Sequence, residues 1–71
     1  MHSVVRFPRP DSLFAVRAGE LLADGKSKQA LELCRRGLIY YPENPSGYTM
    51  LANAFLAMGE RERAYLVLVD G

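Results

Sequence analysis

The sequence is poor in the residues that stabilise very small proteins. It holds one cysteine and one histidine among 71 residues. One cysteine cannot close an internal disulfide, and the pair cannot supply the roughly four ligands of a structural zinc site. A chain this short buries only about 60% of its unfolded surface. We therefore expect its stability to come from an efficient helical core or from association with another chain.

The sequence also has no excess of positive or negative charge and no long apolar run. The net charge is +1, so neither nucleic acid nor a membrane surface is indicated as a partner. No apolar stretch approaches the ~20 residues of a membrane span. Arg6 and Arg9 are not followed by the apolar segment of a signal peptide. These features predict a cytoplasmic protein.

Groups that carry catalysis or bind cofactors are missing as well. No nucleophile is paired with a base, no carboxylates are paired, and no phosphate-binding loop or metal cage is recognisable. Cys34 is predicted on the inward side of a helix, and nothing brings His2 close to it. We therefore predict a protein that is not an enzyme and has no catalytic residue, metal ligand or cofactor.

Proline and glycine divide the chain into a lead-in and four helices. Residues 1–10 contain Pro8 and Pro10 and are predicted to be extended. The first helix follows a cap at Asp11 or Ser12 and stops at Gly25, and the second must end before Pro42. Asn44 caps the third helix, with Pro45 in its first turn, and this helix stops at Gly59. The fourth runs from about Glu60 to the end. Short turns between helices of this length predict antiparallel helical hairpins.

A shift of 34 residues aligns the chain with itself without a gap. The residues that coincide are mostly small or apolar, which indicates helices that approach each other closely. Identical pairs include Ser12 with Ser46, Ala18 with Ala52, Leu22 with Leu56, Ala23 with Ala57, Gly25 with Gly59, Ala30 with Ala64, and Gly37 with Gly71.

This 34-residue helical unit resembles the tetratricopeptide repeat. The first copy supplies Phe14, Ala18, Leu21, Gly25, Ala30, Leu38 and Pro42, and the second supplies Tyr48, Leu51, Ala52, Phe55, Gly59 and Ala64. Arg17 departs from the family's leucine and Cys34 from its aromatic residue. Gly37 and Gly71 replace its alanine, and a glycine inside a helix costs ~1 kcal/mol.

The resemblance implies an all-α fold of two tandem helix-turn-helix hairpins, a fragment of an α-solenoid. The first repeat would cover residues 11–44, and the second, short at its C-terminus, residues 45–71. The first helix of each unit would line a concave groove for a partner's peptide or helix. The groove residues would be Ala15, Val16, Gly19, Leu22, Ala23, Thr49, Met50, Asn53, Leu56 and Ala57.

The groove residues suggest an apolar occupant rather than a carboxylate. Asn53 lies where the family often uses asparagine to bind a ligand backbone. Thr49 and Met50 occupy two places where chaperone-binding members have the basic residues of a carboxylate clamp. A small, apolar groove suits an apolar helix, to which Met50 adds adaptable surface. Alternatively, the groove packs against a neighbouring subunit.

The last helix is apolar nearly all round, which is typical of a buried helix. Leu66 and Val69 stand where the first copy has Glu32 and Arg35. Repeat proteins normally end on a polar capping face instead. Ala64, Leu68 and Gly71 are predicted on the inward side, as Ala30, Cys34 and Gly37 are in the first copy. The residues predicted to mediate self-association are Tyr65, Leu66, Val67 and Val69.

The sequence thus predicts a protein–protein interaction module, an adaptor that forms a homo-oligomer and offers a groove to an apolar peptide or helix. A second copy is expected to cover the last helix. The alternative is a fragment of a longer repeat array, or a secretion-type chaperone that holds a helix of its partner.

Overall fold

The computed structural model describes residues 12–70, which form four α-helices. In chain order these are α1 (Phe14–Ala23), α2 (Ser27–Tyr40), α3 (Pro45–Ala57) and α4 (Arg61–Asp70). Helix α1 packs against α2, α2 against α3 and α3 against α4, and α1 also contacts α3. The predicted all-α architecture of two helical hairpins is confirmed. The lead-in predicted for residues 1–10 lies outside the described residues, and the repeat boundaries stay a prediction.

The two hairpins turn in the same way, at the two glycines that the sequence singles out. Gly25 and Gly59 have φ angles of 79° and 80°, in the left-handed region that side chains with a Cβ avoid. In both turns the amide after the glycine donates to the carbonyl five residues earlier, at 2.8 Å. This bond satisfies a carbonyl at the end of each first helix. The predicted stops are therefore confirmed.

Helix α3 begins as the sequence predicts. The side-chain oxygen of Asn44 accepts a hydrogen bond of 3.1 Å from the backbone N–H of Gly47. Pro45 occupies the first turn, where the missing N–H of proline leaves no hydrogen bond unmade. The cap and the proline together fix where this helix starts.

The start of α1 differs from the prediction. The helix begins at Phe14, and Leu13, rather than Asp11 or Ser12, occupies the N-cap position. The carbonyl of Leu13 accepts the first helical hydrogen bonds, from Val16 and Arg17. Packing explains the difference, because a first turn beginning at Phe14 brings this ring into the core, where it is fully buried. Burial of an aromatic ring outweighs the roughly 1 kcal/mol that a capping side chain contributes.

The core consists mainly of small side chains grouped around one large ring. Its buried members are Phe14, Ala15, Ala18, Ala30, Leu31, Cys34, Ala52, Ala54, Phe55 and Ala64. Six of these ten residues are alanines, so the helices approach closely. The Phe14 ring stacks against Tyr41, with 6.0 Å between ring centroids and 18° between ring planes.

Two glycines make room for the Phe14 ring. A Cβ added to Gly47 would lie 2.6 Å from Cζ of Phe14, and one added to Gly37 would overlap the ring. Real Cβ atoms do not approach other atoms so closely. Gly37 and Gly47 together therefore let Phe14 enter between α2 and α3.

Candidate protein-binding surfaces

Two surfaces are candidates for binding partners. The first, here called the α1–α3 face, consists of the ten residues predicted to line the groove on α1 and α3. The second, here called the α4 band, consists of the exposed apolar side chains of α4: Tyr65, Leu66, Leu68 and Val69. Each is built by a different part of the fold.

The α1–α3 face is formed where the first helices of the two hairpins lie side by side. A Cβ added to Gly19 would lie 3.6 Å from Sδ of Met50, which is ordinary van der Waals contact. Among the predicted groove residues, Ala15 is buried in the core and adds no accessible surface. Gly19, Leu22 and Met50 are half-buried, and Val16, Ala23, Thr49, Asn53, Leu56 and Ala57 are exposed.

The exposed part of this face is apolar or uncharged. Val16 and Leu56 are its large exposed aliphatic residues. The Thr49 hydroxyl donates to the backbone carbonyl of Pro45 at 3.2 Å, so it already has a partner inside its own helix. The side chain of Asn53 is exposed to solvent. Binding of a peptide at this face stays a prediction.

The α4 band is strongly exposed. The exposed fractions are 66% for Tyr65, 56% for Leu66, 59% for Leu68 and 60% for Val69. Helix α4 is held to α3 by Ala64, which is buried, and by Val67, which is half-buried against the core. Val67 therefore differs from the other three residues predicted to mediate self-association, because it mainly packs inside the chain.

The prediction that Leu68 faces inward is wrong, and Gly71, predicted on the same side, lies outside the described residues. Its equivalent in the first repeat, Cys34, is fully buried, whereas Leu68 is largely exposed. Helix α2 lies between α1 and α3, but among the described helices α4 contacts α3 alone. The same difference separates Leu31, which is buried, from its equivalent Tyr65. We call Tyr65 and Leu68 the stacking pair. Their equivalents in α2 are buried, and α2 differs from α4 in having a following helix, α3, packed on it.

The other half of the α4 band has a different character. Leu66 and Val69 correspond to Glu32 and Arg35 of α2. Both charged residues are exposed although α2 has helices on either side. A helix stacked on α4 as α3 is stacked on α2 would therefore leave Leu66 and Val69 in solvent. We call these two residues the lateral pair.

An open hollow continues the α4 band towards the start of α3. Its volume is about 680 Å³, and it is lined by Pro42, Glu43, Pro45, Tyr48, Leu51, Leu66 and Val67. The Tyr48 hydroxyl donates to the backbone carbonyl of Pro42 at 2.7 Å. Phe14, the equivalent of Tyr48, is fully buried under Tyr41 and the two glycines. Tyr48, in contrast, is only half-buried and borders the hollow.

The environment of Cys34 makes it an inert core residue. The thiol is fully buried, and burial raises its pKa from 9.0 to about 11. The thiolate, which is the reactive form, is therefore scarce at neutral pH. In the part of the chain that the structure describes, no three histidine, cysteine or acidic side chains converge in a way that could hold a metal.

We expect Cys34 to react with a thiol reagent at pH 8 about 100-fold more slowly in the folded chain than in the urea-unfolded chain. A pKa two units higher lowers the thiolate fraction by about this factor, and burial slows attack further. Absorbance of the released chromophore measures both rates. Equal rates in the two states would show that Cys34 is accessible and ionisable in the fold.

None of the four described helices combines the length and apolar character needed to cross a bilayer. Two hairpins with identical turns, packed through small residues, define an α-helical repeat protein. A family model for the tetratricopeptide repeat matches residues 21–70, well over half of the chain. The chain belongs to the tetratricopeptide repeat family and is thus, in general terms, a protein–protein interaction module. No curated protein and no solved structure matches it significantly.

Proposed function

We propose that this protein is a non-catalytic adaptor that self-associates through the α4 band. The observation that supports the proposal most is the exposure of Tyr65, Leu66, Leu68 and Val69 on one helix. Their equivalents in α2 are either buried against a neighbouring helix or charged. The four positions on α4 have neither a covering helix among the described residues nor charged side chains. Exposed apolar side chains of this kind mark a surface that another protein covers.

The size of the α4 band supports an interaction surface. Each of its four side chains exposes on the order of 100 Å², which gives roughly 400 Å² in all. Contiguous apolar patches of a few hundred Å² are where soluble proteins bind partners. The hollow beside Tyr48 adds to this surface because Leu66 borders both.

We also propose that the α1–α3 face binds an apolar helix or peptide of a different partner. The specific support is the exposure of Val16 and Leu56 on opposite helices of this face. The exposed polar residues Thr49 and Asn53 carry no charge, so the face has little to attract a carboxylate. An amphipathic helix would place its apolar side between α1 and α3.

The molar mass in solution tests the self-association. Sedimentation equilibrium from about 1 μM to about 1 mM covers the affinities expected of a small apolar interface. We expect the mass to rise from 7.9 kDa towards twice that value as the concentration increases. A mass that stays at 7.9 kDa over the whole range would contradict the proposal and favour the alternative of a module that serves only other partners.

A further inference from the structure

We infer that the second copy docks with two-fold symmetry, α4 against α4, and not with its first helix on the α4 of its neighbour. This inference rests on the proposed self-association and specifies its geometry. The internal repeat makes the alternative concrete. In head-to-tail stacking, α1 of one copy would contact α4 of the next as α3 contacts α2 within the chain.

Head-to-tail stacking would cover only part of the α4 band. The packing of α3 on α2, which it would repeat, leaves Glu32 and Arg35 exposed. Their equivalents on α4, the lateral pair Leu66 and Val69, would therefore stay in solvent in a head-to-tail stack.

Helix α1 also offers a more polar surface than α3. Arg17 and Glu20, both exposed, stand on α1 where α3 has Leu51 and Ala54. The α4 band is therefore the more apolar of the two surfaces that a neighbouring copy could present to α4.

The α4 band, in contrast, is complementary to itself. At about 100° per residue, Leu68, Tyr65, Val69 and Leu66 form one continuous arc of roughly 160°. This arc joins the stacking pair to the lateral pair, so an antiparallel copy of α4 covers both. A two-fold contact pairs each copy's band with the same band on the other copy and closes after two chains.

The borders of the band favour the antiparallel direction. A shallow depression of about 400 Å³ lies at its N-terminal end, lined by Arg61, Glu62, Tyr65 and Leu66. An antiparallel partner places the apolar C-terminal turn of its own α4 over this depression. Arg61 and Glu62 give the depression one charge of each sign, and Tyr65 and Leu66 supply its apolar contact surface.

The area involved predicts a weak dimer. Roughly 400 Å² per chain is about half of the ~800 Å² that each partner buries in a standard protein interface. The hollow beside Tyr48 borders the same band and increases the area available. We therefore expect a dimer that dissociates on dilution, without growth into longer assemblies.

Disulfide trapping tests the two-fold geometry. Tyr65→Cys and Leu66→Cys, made one at a time, place a thiol near the middle of α4, where an antiparallel two-fold contact brings identical positions together. Arg63→Cys places an exposed thiol outside the band as a matched control. Native Cys34 is buried and does not compete. Under mild oxidation we expect dimers of both band variants to form about tenfold or more faster than dimers of the control.

A mixture of Glu20→Cys and Tyr65→Cys chains distinguishes the alternatives, because their equivalents Ala54 and Leu31 are both buried and lie at the same level of the antiparallel α2–α3 pair. A mixed disulfide as the main product would overturn the two-fold geometry and leave self-association through α4 intact. The chain could sediment as a dimer while its band variants form disulfide-linked dimers no faster than Arg63→Cys. That result would overturn α4 as the dimer contact. A chain that stays monomeric at all concentrations would overturn the proposed self-association itself.

Discussion

Gly37→Ala is expected to lower the free energy of unfolding by about 2 kcal/mol, although alanine favours a helix over glycine by ~1 kcal/mol. The added Cβ would overlap the ring of Phe14. This ring is fully buried and stacked on Tyr41, so it has no free space into which it can move. Urea denaturation followed by circular dichroism measures the change.

Gly19→Ala is the matched control, because it makes the same substitution inside a helix of the same protein. Its Cβ would lie at an ordinary 3.6 Å from Met50. We expect this variant to be as stable as the wild type or up to ~1 kcal/mol more stable. In a Phe14→Leu background, Gly37→Ala should cost less than in the wild type, because the smaller side chain leaves room. Equal changes in the free energy of unfolding for Gly19→Ala and Gly37→Ala would show that the Phe14 ring does not exclude a Cβ at position 37.

Leu66→Glu combined with Val69→Arg is expected to weaken self-association by at least about 100-fold. Burying one such side chain contributes ~1.5–3 kcal/mol, and a buried charge adds a further penalty. The first repeat carries Glu32 and Arg35 at the equivalent positions and is helical there. The variant should therefore keep its circular dichroism spectrum while its sedimentation mass remains that of the monomer.

The matched control introduces the same two residue types elsewhere. Lys28→Glu with Gln29→Arg changes two exposed positions on α2, away from the α4 band. We expect this control to associate like the wild type. If the α4 variant also associated like the wild type, the contact between copies would lie elsewhere on the surface.

The elements of the fold that depend on local chemistry could be predicted from the sequence. Gly25 and Gly59 mark turns because a left-handed backbone excludes most other residues. Asn44 marks a helix start because its side chain accepts a hydrogen bond from a backbone N–H. The 34-residue repeat predicted the order of the helices, since both hairpins use the same signals.

The contacts that depend on neighbouring helices were not predictable in this way. Helical spacing put Leu68 on the same side as Ala64, yet Leu68 is exposed because no described helix covers that part of α4. The role of Gly37 emerged only from the position of the Phe14 ring, which comes from another helix. Ala15, predicted in the groove by resemblance, is buried by the packing of α1.

The division of the α4 band into two halves also required the structure. The sequence shows that Leu66 and Val69 replace charged residues, and it suggests an interface. Only the burial of α2 shows that a stacked helix covers the positions of Tyr65 and Leu68 and not those of the lateral pair. A helix stacked on α4 as α3 is on α2 would cover two residues of the band. A second copy docked through α4 would cover all four, which is the more specific hypothesis.

The central claim is that the α4 band is covered by a second copy of this chain. A dilution series of amide spectra by nuclear magnetic resonance tests it most directly, because every residue reports its own environment. We expect the largest concentration-dependent shifts at Tyr65, Leu66, Leu68 and Val69, with Arg17 and Glu20 on α1 unchanged. Spectra that do not change with concentration, or shifts confined to α1, would contradict it.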